Sequence, residues 1–315
     1  MRILLTGGLG HIGSYLIEKI SKKIFFELIV LDSLKTQRYS SLFKFSKNCK
    51  FVFIEDDVKN LNKLKVKLKK IDIVIHLAAL TDAASSVGRK KEFIENNYKG
   101  TLEVIKFCIK NKSKLIYMSS TSIYGTQKKI VDESCSEKDL MPQSPYAISK
   151  FKEEQLLIKK SKYLGLKMII LRLGTIFGVS KGIRFHTAVN KFCYQAAKGE
   201  KLTVWKTALN QKRPYLDIKD ASNAVMHIIQ NNMFDNKIYN ILTNNFTVKD
   251  IISIIKKYLP STKFKYVNNP IMNQLSYEIS NRKFIKKKFK FKGNINLQIK
   301  KTLNLFEHIT NNKIK

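Results

Sequence analysis

The sequence holds little that would tie a chain together covalently or carry it through a membrane. Its four cysteines, Cys49, Cys108, Cys135 and Cys193, are scattered, with neither a disulfide framework nor metal-like spacing. A reduced, cytoplasmic setting and no bound metal are therefore expected. No apolar stretch reaches the roughly 20 residues that a bilayer requires, so no membrane partner is expected. A strand pattern also occupies the position where a signal peptide would stand. Acidic residues are scarce as well: 24 Asp and Glu face 59 Lys and Arg, a formal net charge of +35. Such an excess suits polyanion binding. Yet only 7 of the basic residues are arginine, the side chain whose planar fork matches phosphate. The lysines are spread along the chain, with residues 256–315 carrying 15 Lys and Arg against 2 acids. A solvated lysine-rich surface is the expectation, and nucleic acid is not expected as a partner. A basic rim would still draw in an anionic substrate.

What is present is concentrated at the start. Ile3, Leu4 and Leu5 make an apolar run of buried-strand length. Gly7, Gly10 and Gly13 follow, and then a helical pattern of Ile12, Leu16, Ile17 and Ile20. A strand turning through glycines into a helix aims backbone N–H groups and the positive end of a helix dipole at one point, which suits a pyrophosphate. Gly7 permits the tight turn, Gly10 lets the backbone approach the phosphates, and Gly13 lets helix pack on strand. Leu28–Leu31 reads as a second buried strand ending in Asp32, where a carboxylate would take ribose hydroxyls.

The chain of 315 residues then alternates strands and helices. Strands are expected at 51–54, 71–76, 114–118 and 166–172. A short helix is expected within 34–46, an amphipathic helix over 58–70, and further helices over 90–109, 146–162, 186–198 and 220–231. Asp220 is expected to cap the last of these, and Thr247 with Asp250 to form a capping box for another. This rhythm implies an α/β protein with a doubly wound parallel sheet, whose ligands lie beyond the carboxyl ends of the strands. Ser119 to Tyr124 falls at that edge. Ser144 and Pro145 suit a helix start, which puts Tyr146 and Lys150 on one helix face. A tyrosine ordinarily holds its proton to about pH 10, so as a base it needs a neighbouring cation.

These motifs together resemble the extended short-chain dehydrogenase/reductase family, and within it the nucleotide-sugar epimerases and dehydratases of UDP-glucose 4-epimerase type. The resemblance covers about residues 1–260. It rests on the three glycines, Asp32, Asp57-Val58, His76 to Ala79, Asn97, the serine loop, Tyr146 with Lys150, and Arg213. It implies a Rossmann domain over 1–172, with segments around 212–242 returning to it. A smaller mixed α/β region, mainly 173–315, would hold the substrate.

The cofactor implied is NAD, since no arginine adjoins Asp32. Its contacts would be Gly7, Gly10, His11, Ile12, Gly13, Asp32, Asp57, Val58, Leu77, Ala78, Ala79, Asn97, Ser119, Tyr146 and Lys150. Ser120, Tyr146 and Lys150 would be catalytic: Ser120 bonds the reacting oxygen, Tyr146 takes its proton, and Lys150 holds the ribose and biases Tyr146. Ser120, Thr121, Tyr146, Thr175 and Arg213 would meet a nucleotide-diphosphate sugar. Dehydratases of this family carry Asp and Glu after the serine; Thr121 and Ser122 here favour 4-epimerisation of a UDP- or dTDP-sugar. A reductase or dehydratase is the alternative, and a non-catalytic dinucleotide-binding protein a more distant one. A homodimer through the helices at 90–109 and 146–162 is expected. Thr175 stands where the family usually has Asn, and Asn281 where it has Asp. His76 and His186 are read first as packed polar residues, and Trp205 as core or a neighbour of the nucleotide base.

Overall fold

Ile3, Leu4 and Leu5 are fully buried in strand β1 (Arg2–Thr6), from which the main sheet extends both ways. The computed structural model describes residues 1–23, 26–44, 48–64, 68, 70–83, 85–125, 129–267 and 277–309. The other strands of this sheet are β2 (Glu27–Asp32), β3 (Lys50–Glu55), β4 (Ile73–His76), β5 (Lys114–Ser120), β6 (Met168–Leu173) and β7 (Ile238–Ile241). They lie in the order β7-β6-β5-β4-β1-β2-β3, every neighbouring pair parallel. Helices cover both faces, which explains why the central strands read as continuous apolar runs without alternation. On one face α1 (His11–Ile20) and α5 (Ile218–Gln230) bury Leu16, Ile17, Val225 and Ile228. On the other, α2 (Lys90–Asn111) and α3 (Pro145–Leu164) bury Val104, Ile105 and Leu157. The doubly wound architecture expected from the sequence is the one observed. The direction of winding reverses between β1 and β4, so their carboxyl ends part and leave a crevice.

Beyond β6 the chain builds a second, smaller core. The strands Thr175–Phe177, Arg213–Asp217 and Asn244–Phe246 form a three-stranded sheet. Behind it α4 (Ala188–Ala197), α6 (Val248–Tyr258) and α7 (Ile295–Asn304) pack Phe177, Phe192, Tyr215, Ile251 and Ile299 together. Between these segments α5 and β7 return to the main sheet.

Three local expectations need correcting. Residues 58–70 do not form one amphipathic helix. Asp57 caps a short 3-10 segment, Val58–Lys63, through the Lys59 amide, and Leu64 is already extended with ψ of 134°. The buried Val58 and Leu61 supplied the apolar pattern, which reported burial without the helix. Residues 34–46 likewise hold only the 3-10 turn Tyr39–Leu42 among those described. The cap of α5 is Asp217, whose carboxylate accepts the Lys219 amide at 2.8 Å. Asp220 is buried in the first turn and clamps the irregular segment before α7, accepting from Lys292 N at 2.9 Å and Gly293 N at 2.9 Å, and also from Thr243 Oγ1 at 2.8 Å. The capping box at Thr247 and Asp250 is present as expected.

Candidate active site

A cavity of about 610 Å³ follows the carboxyl ends of β2, β1, β4 and β5 and continues to Arg213. Its first half is made largely of backbone. Gly7 has φ of +66°, and a Cβ built there would lie 2.5 Å from Ala78 N. A Cβ on Gly13 would lie 2.3 Å from Gly8 O, so only glycine lets α1 start this close to the turn. With Gly10 as N-cap and no acidic residue in its first turn, α1 presents an uncompensated positive end to the cavity. Asp32 closes β2 and accepts from Leu9 N at 2.9 Å and Leu34 N at 3.0 Å, so backbone amides hold its carboxylate at the rim. Leu77, Ala78 and Ala79 face the turn, and Ile12, Asp57 and Val58 complete the wall. Lys35 and Lys59, with the Lys59 amide, outweigh the effect of burial and hold Asp57 below the usual carboxylate range. A narrow backbone cradle, a helix start and a fixed carboxylate beyond it fit a dinucleotide.

The second half is made of side chains. Ser144 accepts the Ala147 amide at 3.1 Å and Pro145 starts α3, so Tyr146 and Lys150 project one turn apart toward the end of β5. There Ser120 receives a bond from the Ser122 hydroxyl at 2.9 Å, and Thr121 donates to Leu173 O at 3.1 Å. Ser119 Oγ is buried with no hydrogen-bond partner among the described residues. Tyr146 is pushed up to about 12, chiefly by burial. A hydrogen bond from Ser120 and the charge of Arg184 pull it down, while the charge of Glu153 pushes it up. Lys150 is buried and donates to Tyr117 Oη at 3.1 Å, with Glu153 Oε2 at 3.5 Å. Thr175 lines the cavity beyond Ser120, as does Arg213, whose guanidinium bonds Gln211 Oε1 at 2.8 Å and stacks 5.5 Å from the Tyr277 ring centre.

Every residue expected from sequence to bind or react, apart from Asn97, is brought to this wall. Asn97 is 1 % exposed, and its amide accepts Leu80 N at 2.8 Å and donates to Leu80 O at 3.1 Å and Ser149 Oγ at 3.0 Å. It pins the loop after β4 to α3 and does not touch the cavity. His11 reaches the wall, but its Nε2 lies 2.7 Å from Gly178 O, and burial lowers it to about 4, so the ring is neutral and spent on packing. His76 is packed as expected, between Thr6 Oγ1 at 2.7 Å and Thr101 Oγ1 at 3.1 Å, and burial lowers it to about 3. His186 and Trp205 both line the cavity. Asn281 does not: its amide donates to Leu242 O at 2.8 Å.

Sequence reasoning missed Arg184. Its guanidinium bonds Thr81, leaves a buried Nε with no partner among the described residues, and lies among Asp32, Asp82, Arg38 and Tyr146. Burial lowers it to about 10, still a cation at neutral pH. The available signal was the rarity of arginine, which had been applied to Arg213 alone.

A parallel sheet of this topology, with a glycine turn at its switch point, defines a class of dinucleotide-binding enzymes. The chain belongs to the NAD dependent epimerase/dehydratase family, whose model matches residues 3–241, and its cofactor is NAD. It is 32% identical over 272 residues to a dTDP-D-glucose 4,6-dehydratase of Dictyostelium discoideum, matching 80% of this chain but only 62% of that protein's length. It is 28% identical over 261 residues to a protein named as a UDP-glucose 4-epimerase of Methanocaldococcus jannaschii, with 81% of each covered. Among solved structures, a UDP-glucuronic acid 4-epimerase of Bacillus cereus superimposes with a TM-score of 0.88 at 23% identity, covering 98% of this chain and 100% of that one. The dTDP-glucose 4,6-dehydratase of Streptomyces venezuelae gives 0.86 at 20% identity, covering 98% and 97%.

Proposed function

We propose that this protein is a nucleotide-sugar epimerase acting at C4 of a UDP- or dTDP-sugar. The observation that carries this over dehydration is the chemistry of the two residues after Ser120. Removing water across C5 and C6 needs an acid and a base at the sugar. Thr121 and Ser122 offer only hydroxyls there, one tied to the Leu173 carbonyl and the other to Ser120. In the proposed cycle Ser120 binds the reacting sugar oxygen and Tyr146 takes its proton. Lys150 would hold the cofactor ribose from beneath, Asp32 the adenosine ribose, and the start of α1 the pyrophosphate. Bound NAD supplies a hydride acceptor and donor, so the cycle needs no external reductant. Tyr146 returns the proton when the sugar is reduced on its other face. Arg213, and Arg184 beside Tyr146, would fix anionic groups of the ligands, since buried guanidinium groups favour bidentate anions.

The division of labour proposed is a cofactor domain of 1–172 with returns around 212–242, and a substrate region of mainly 173–315. Assembly as a homodimer through α2 and α3 belongs to the same proposal. Product analysis by NMR over a panel of UDP- and dTDP-sugars tests the function. An epimer should form without added reductant. A 4-keto-6-deoxy product, or net consumption of reduced cofactor with no epimer, would overturn it.

A further inference from the structure

Behind the catalytic pair lies a polar cluster that sequence motifs did not single out. Glu153 is one turn past Lys150 on α3 and fully buried. Its Oε2 accepts from Thr101 Oγ1 of α2 at 2.5 Å and from Tyr117 Oη of β5 at 2.7 Å, and faces Lys150 Nζ at 3.5 Å. Its Oε1 has no partner among the described residues. The next residue, Glu154, shows what a merely structural acid looks like here. Its carboxylate takes a fork of bonds from Arg172, at 3.0, 3.2 and 2.7 Å. Glu153 has no such fork. Among the described residues its one cationic neighbour within ion-pair distance is Lys150, and its Oε1 is unbonded.

We infer that Glu153 is a positioning residue, anchoring the Lys150 ammonium under the reaction site and offsetting its charge there. Resting on the assignment of Tyr146 as base, this gives the pair a set proton affinity. The charge of this buried carboxylate opposes ionisation of Tyr146. The groups facing this cluster are otherwise few. From β4 comes neutral His76, bonded to Thr101; from α3, Glu154, neutralised by Arg172; and from the far wall, Arg184, with Asp32, Asp82, Arg38 and His186 around it. Arg184 is thus the cation left to lower Tyr146, and Glu153 the anion that raises it.

Glu153→Gln tests this, because it keeps an acceptor for Thr101 and Tyr117 while removing the charge. Removing the charge that opposes ionisation of Tyr146 makes that ionisation easier. The expected result is therefore a move of about one pH unit to lower pH in at least one of two signals. One is the tyrosinate absorbance of the cofactor-free protein, taken as the difference from its Tyr146→Phe partner. The other is the pH optimum of kcat/KM. If both signals stay where they are in a folded Glu153→Gln protein, Glu153 is structural only and the inference falls. If that variant does not fold, Glu153→Asp, which draws the charge back by one methylene, must move the same signals in the same direction, and unmoved signals there overturn it. Failure of the base assignment shows separately, as undiminished turnover in Tyr146→Phe.

Discussion

At the cofactor end of the cavity the wall is backbone, while at the reaction end it is side chains carried in from segments far apart in sequence. Gly7 and Gly13 face neighbouring backbone at distances that admit no Cβ, and Asp32 is held by two amides. By contrast Ser120, Tyr146, Thr175, Arg184 and Arg213 come from the end of β5, the start of α3 and three places in the smaller core. The difference teaches that one end works through shape and the other through charge. Shape fails when an atom is added, and charge fails when one is removed or titrated.

Tyr146→Phe should separate the ends most sharply. It deletes the hydroxyl proposed as base and leaves the backbone cradle intact, so turnover should fall about 10³-fold with NAD affinity unchanged. Steady-state kinetics and calorimetric NAD binding check it, and a parallel loss of NAD affinity would blur the comparison. Gly7→Ala probes the opposite end. The added Cβ meets Ala78 N at 2.5 Å with φ at +66°, and the left-handed strain alone is roughly 1–2 kcal/mol. NAD affinity should fall by about tenfold or more, at about 1.4 kcal/mol per decade, and Tm with it; calorimetry and thermal melts read both.

Arg184→Gln tests whether the missed arginine belongs to the charge-built end. Loss of one charge-assisted contact predicts KM or NAD Kd raised about tenfold. The ascending limb of the pH–rate profile should also move up, because the cation that lowers Tyr146 is gone. An unchanged profile with unchanged binding would remove Arg184 from the site.

The last prediction concerns His76, which bears on stability and leaves turnover aside. Its folded pKa of about 3 is below the unfolded value of 6.5. The unfolded chain therefore binds the proton first as the solution is acidified. The stability due to this neutral ring is complete above pH 6.5 and is lost progressively toward about pH 3. His76→Asn should flatten denaturant-derived stability between pH 6.5 and 4 by up to about 1.4 kcal/mol per pH unit. A slope equal to that of the parent would show that His76 does not carry it.

Legibility followed the same divide. The parallel sheet, both long helices and the glycine turn could be read because each is written in adjacent residues: an apolar run, a periodicity, a spacing. The helix expected over 58–70 failed because Val58 and Leu61 bury themselves equally well from a 3-10 turn capped by Asp57. Asp220 was given the cap that Asp217 holds, three residues earlier, because either acid satisfies the local pattern. Asn97 is offered by the motif as a cofactor contact, but the fold spends its amide on Leu80 and Ser149.

The sequence by itself determined the pattern of the cofactor end, since a strand running through spaced glycines into a helix and an acid at a strand end are written in adjacent residues. At the reaction end the sequence offered Ser120, Tyr146 and Lys150, and tertiary structure alone decided which charges surround them. Arg184 becomes Tyr146's neighbour, and Glu153 rather than solvent becomes the partner of Lys150, only when distant segments meet. The physical reason is that a strand, a glycine turn and a helix start are set by residues adjacent along the chain. The proton affinity of a buried group is instead settled by every charge that the fold brings close to it.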